Sequence, residues 1–84
     1  MKNKVLVQLI VPEIDEKYDL YVPINKKVGN IIVLLNKALK EMTNGVFIIS
    51  NTSCVYNRIT GEKYKMDVLI RETDIRNGTM LVIL

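Results

Sequence analysis

The spacing of apolar residues changes from a period of two to a helical period and back, and that switch constrains the fold more than any other feature of the sequence. Over residues 4–11, Val5, Val7, Leu9 and Val11 alternate with Leu6, Gln8 and Ile10, the pattern of a strand whose successive side chains face opposite sides. Residues 12–17 are polar and start with Pro12, which predicts a turn. Residues 18–24 alternate again, with Tyr18, Leu20, Val22 and Ile24 inward and Asp19, Tyr21 and Pro23 outward. Two strands with a short connection make a hairpin. Pro23 has no N–H to give to a ladder, which places this strand at a sheet edge.

Val28, Ile31, Ile32, Leu35, Leu39 and Met42 then recur at steps of mostly three and four, one face of a helix. Asn25 or a neighbour is the expected cap. Lys37 and Lys40 suit the negative end of the helix dipole, and Asn44-Gly45 is a stop signal. Gly29 weakens the first turn by up to ~1 kcal/mol relative to alanine.

Residues 46–50 are apolar and short, and read equally as a packed connector, a short strand or a cover over the sheet. Residues 54–58 are a strand candidate. Ile59-Thr60-Gly61-Glu62 is a turn, and Lys63-Tyr64-Lys65 a short returning edge strand. Residues 66–75 suggest a turn or one helical turn. Asn77-Gly78 is another turn, followed by a last strand over residues 79–84. Hairpin, helix, short strands and last strand make one α+β domain over residues 1–84, with one helix covering one sheet face. If the last strand pairs with the first in parallel, the sheet order is second, first, last, third. This is the β-grasp, with a mixed sheet of four to five strands packed on one helix.

Composition narrows the function classes. With 49% hydrophobic and 25% charged residues the chain is not of the disordered type. Its longest apolar run, Ile31 to Leu35, is far below the ~20 residues of a membrane span. The basic start before Val5 is better explained by a strand than by a signal sequence, because Gln8 and Pro12 interrupt it. A cytoplasmic location is expected. Histidine is absent and Cys54 is the single cysteine. No disulfide, metal site, cofactor or catalytic residue is therefore expected, and the chain reads as a non-enzyme. Glu13, Asp15 and Glu16, and likewise Glu72 and Asp74, read as solvated turns rather than acid–base pairs.

Three stretches carry a family resemblance: Leu20 to Val28, Tyr56 to Tyr64, and Ile70 to Leu84. The last holds Ile75-Arg76-Asn77-Gly78-Thr79-Met80-Leu81, of the form I-x-N-G-x-x-L. The chain resembles the YukD-like (also called EsaB-like) small bacterial proteins of the ubiquitin superfamily. Its net charge of +3 departs from the acidic or neutral balance expected of them. The resemblance implies a ubiquitin-like, non-conjugating accessory of a type VII secretion system in a Gram-positive bacterium, with secretion-machinery proteins as partners.

Two surface readings complete the expectation. No glycine follows Gly78, and Val82-Ile83-Leu84 reads as a strand with bulky side chains. A modifier or sulfur carrier of this fold needs a slender glycine end to enter an activating site, so that alternative is disfavoured. If Val7, Leu20 and Val82 point to the helix, then Leu6, Ile10, Leu81 and Ile83 form an apolar patch on the outer sheet face, flanked by Tyr21 and Tyr56. Such a patch marks a docking site for another protein or a second copy in a homodimer. A register shift of one residue would swap the faces. The basic residues are dispersed and not interleaved with stacking aromatics, so a nucleic-acid-associated regulator is the less favoured alternative.

Overall fold

The structure is a computed structural model that describes residues 3–43, 49–50 and 52–84. It opens with the expected hairpin. Strand β1 (Lys4–Val11) pairs antiparallel with β2 (Glu16–Pro23), from Lys4 opposite Pro23 to Val11 opposite Glu16. A 3-10 turn over Pro12–Ile14 joins them. Asp15 closes it at φ 51°, and its N–H donates to the Pro12 carbonyl at 3.1 Å. Proline suits the first position of such a turn because no N–H is needed there.

Helix α1 (Asn30–Thr43) follows. Strand β3 (Val55–Asn57) pairs antiparallel with β4 (Met80–Ile83), and β4 pairs in parallel with β1. The sheet order is β2-β1-β4-β3, the expected β-grasp order with four strands. A second 3-10 turn, Ile70–Glu72, lies in the connection to β4.

One side of the sheet holds the core. Val7, Leu9 and Val11 of β1, Val22 of β2, Val55 of β3 and Leu81 and Ile83 of β4 are buried. They pack in one cluster with Ile31, Ile32, Leu35 and Leu39 of α1, and with Val28, Ile70 and Ile75 from the loops. Each such side chain contributes roughly 1.5–3 kcal/mol on burial.

Several expectations need correction. Leu81 and Ile83 are not on the outer face: they are 0% and 2% exposed. Parallel pairing sets Leu81 beside Leu9 and Val82 beside Ile10, so Leu81 shares the buried face and Val82 turns outward. Asn25 does not cap the helix. The N–H groups of Asn30, Ile31 and Ile32 donate to the carbonyls of Lys27, Val28 and Gly29, and Asn25 Oδ1 instead accepts from Arg71 Nη1 at 3.4 Å. Met42 lies beyond the buried Leu39 and is 63% exposed.

The third strand is shorter than residues 54–58, and Lys63 makes only an isolated bridge to Tyr56. Of residues 46–50, Ile49 and Ser50 are described and neither is in a strand. Ile49 is buried in the core on the helix side. Its N–H donates to Asn36 Oδ1 at 2.6 Å, and its carbonyl accepts from Asn36 Nδ2 at 2.9 Å. Residues 46–48 and the Asn44-Gly45 stop lie outside the described residues.

Candidate functional site

The outer sheet face is built by residues that alternate with the core. In β1 these are Lys4, Leu6, Gln8 and Ile10, set beside Pro23, Tyr21, Asp19 and Lys17 of β2. In β4 they are Met80 and Val82, beside Gln8 and Ile10. Tyr56 of β3 stands opposite Val82. One row therefore crosses all four strands as Lys17, Ile10, Val82 and Tyr56. Adjacent strands lie about 4.8 Å apart, so side chains paired on one face are neighbours, and Ile10, Val82 and Tyr56 form a contiguous apolar band.

Leu6 and Tyr21 form a second apolar pair at 36% and 50% exposure, set apart from this band by the Gln8–Asp19 pair, while Ile10, Tyr56, Met80 and Val82 are half-buried. A hollow of about 250 Å³ lies in this face between Leu6, Gln8, Asp19, Gly78 and Met80. The charges paired into this face are mostly basic: Lys4, Lys17 and Lys63 against Asp19.

Four of the six residues expected on this face are there: Leu6, Ile10, Tyr21 and Tyr56. Leu81 and Ile83 are replaced by Met80 and Val82. The parity of β4 is set where the turn docks onto β1. Leu6 N–H donates to Asn77 Oδ1 at 2.8 Å, Gly78 N–H donates to the Leu6 carbonyl at 2.8 Å, and Gln8 N–H donates to the Thr79 carbonyl at 3.0 Å. Gly78 holds φ +88°, which a side chain there would strain.

The other candidates hold structural places. Glu13, Asp15 and Glu16 are exposed around the hairpin turn. Cys54 is half-buried, its thiol 3.8 Å from the Thr52 carbonyl, and its backbone pairs reciprocally with Leu84. Asp74 accepts the Tyr64 hydroxyl at 2.6 Å, and Asn57 Nδ2 donates to that hydroxyl at 3.0 Å. Burial, reinforced by the Asp74 hydrogen bond, pushes the Tyr64 phenol up to about 12. Among the described residues, no group of three metal-ligating side chains comes together, and no helix is long and apolar enough to cross a membrane.

Neither family models nor curated protein sequences give a match to this chain. Its shape, in contrast, matches solved structures. The ubiquitin-like domain of the Mycobacterium tuberculosis type VII secretion system protein EccD1 aligns with a TM-score of 0.67 at 13% identity, over 96% of this chain and 97% of that one. The ubiquitin of Caldiarchaeum subterraneum aligns with a TM-score of 0.69 at 13% identity, over 95% and 90%. A chain of a toluene 4-monooxygenase complex aligns with a TM-score of 0.72 at 12% identity, over 95% of each. At these identities the likeness establishes the fold, which is the ubiquitin-like β-grasp.

Proposed function

We propose that this chain is a non-enzymatic, non-conjugating adaptor that docks another protein on its outer sheet face. The observation that carries this reading is the band of Ile10, Val82 and Tyr56, with Met80 next to it and the Leu6–Tyr21 pair beyond Gln8 and Asp19 on the same face. A sheet covered on one side by its helix is expected to show polar residues on the other. Apolar residues that alternate with the core, on a face that no described element covers, are characteristic of a docking face. The lysines on this face would orient a partner and speed its encounter more than they would add affinity.

The setting we infer is a bacterial type VII secretion system, with the adaptor in the cytoplasm. Two observations support it: the I-x-N-G-x-x-L segment over Ile75 to Leu81, and the fold shared with the EccD1 domain. The test is an affinity pull-down of tagged protein from its own cells, wild type against Val82→Glu, with native and denaturing elution. Secretion-system proteins recovered natively with wild type and lost with the variant are the expected result. Equal recovery with the variant would remove the sheet face from the account. Heavier covalent species surviving denaturation would overturn the non-conjugating reading.

A further inference from the structure

A second apolar surface, left open by the described residues, lies on the helix side of the molecule. It is a groove between the first turns of α1 and the loop over residues 66–69. One lobe, of about 480 Å³, is lined by Gly29, Asn30, Val33, Met66 and Leu69 with Lys26 and Lys27. A second lobe, of about 340 Å³, shares Gly29, Val33 and Met66 and continues to Ile32 and the Thr52–Cys54 segment. Val33 stands between the lobes at 63% exposure.

The walls are fixed to each other. Gly29 N–H donates to the Met66 carbonyl and Val28 N–H to the Val68 carbonyl, each at 2.9 Å. Ile70 N–H donates to the Lys26 carbonyl at 2.9 Å, and Lys27 bridges Leu69. The groove is thus preformed, and a ligand need not order it on binding. Gly29 keeps the walls close, since a Cβ there would meet the Met66 carbonyl at 3.2 Å.

Among the described residues, the charged ones that line the two lobes are both lysines, and no carboxylate lines either. Asp67, exposed on the loop, is the acid next to the groove in sequence. We propose that this groove binds an extended acidic peptide segment of a partner protein, with an apolar side chain in the cleft beside Val33 and Met66 and carboxylates facing Lys26 and Lys27. Volumes of this size suit one or two side chains per lobe. Methionine lines the cleft with a flexible, polarizable surface that adapts to differing apolar side chains. Among the described residues, the groove lining holds no aromatic ring on which a base could stack, which favours peptide over nucleic acid. This surface is separate from the sheet face and does not depend on it.

The experiment is an NMR titration of isotope-labelled protein with hexapeptides that share two central leucines and differ in their flanks: glutamate, serine or lysine. The expected result is shifts at Lys27, Gly29, Val33, Met66 and Leu69. Affinity should be about tenfold higher for glutamate than for lysine flanks, with the gap narrowing as salt is raised. Two variants probe exposed positions of the groove: Val33→Asp should abolish binding, and joint Lys26→Glu and Lys27→Glu should reverse the flank preference. Amide spectra otherwise unchanged would show both variants folded. Binding indifferent to the flanks, shifts confined to Leu6, Ile10 and Val82, or a single-stranded oligonucleotide outcompeting the glutamate peptide would each overturn the proposal.

Discussion

Leu6 and Asn77, 71 positions apart, are joined by a hydrogen bond of 2.8 Å from the Leu6 N–H to the Asn77 side-chain oxygen. The Gly78 N–H returns to the Leu6 carbonyl at 2.8 Å. A side-chain amide thus stands where the next backbone carbonyl of a parallel strand would be, and it extends the β1–β4 pairing. Asn77→Ala should cost about 1 kcal/mol, the usual net worth of one such bond. Asn77→Asp, which keeps the acceptor, should cost less. Urea denaturation of the two variants checks the order; equal losses would assign the effect to the turn rather than to the bond.

Leu81 and Val82 are neighbours with opposite duties. Leu81→Ala should destabilise by about 2–5 kcal/mol, the range for emptying a leucine site in a core. Val82→Glu changes an outward, half-buried position and should cost roughly 1 kcal/mol or less. Thermal melts of both variants decide whether the faces are assigned correctly.

Asn36 serves as a strand-like partner for Ile49 from within a helix, accepting its N–H and donating to its carbonyl. Asn36→Ala removes both bonds at a part-buried position while improving helix propensity. The net loss should be about 1–2 kcal/mol. Amide hydrogen exchange at Ile49 should accelerate strongly, while that at Leu35 changes only with global stability.

Tyr64 gives the fold an alkaline limit. Its phenol is raised from 10.0 to about 12, so the folded state favours the protonated form. The stabilisation is fully present below pH 10 and fades as pH rises from 10 toward 12. Tyr64→Phe should lower stability near neutrality by about 1 kcal/mol through the lost hydrogen bonds to Asp74 and Asn57. It should also flatten the decline above pH 10. Denaturant midpoints measured from pH 8 to 12 test this; an unchanged slope would mean that another group titrates.

The sequence made the hairpin and helix legible because their apolar spacing is unambiguous: β1 and β2 alternate, and Ile31, Leu35 and Leu39 step by four. The outer face was half legible for a related reason. Gln8 and Asp19 interrupt β1 and β2 and mark the outward parity there. Met80, Leu81, Val82 and Ile83 are all apolar, so nothing in β4 itself says which pair is buried. That choice is made by the docking of Asn77 on Leu6, a contact across nearly the whole chain. The pinning of Ile49 by Asn36 was equally invisible, since a polar residue at a helical position reads as a solvent-facing one. The groove beside Val33 depends on how the 66–69 loop returns to the helix, which local spacing does not encode.

The central pair of the sheet is made by β1 and β4, and this imposes an order on synthesis. When β2 is complete at Pro23, the first residue of β4, Met80, is still 57 residues (80 − 23) from being made. At roughly 5–20 residues per second the wait lasts about 3–11 s. A two-stranded hairpin is marginal in water at best, so the edge of β1 that β4 will occupy stays open to other chains throughout. The window for misassociation is therefore set by translation speed, and it closes only when Leu81 arrives beside Leu9.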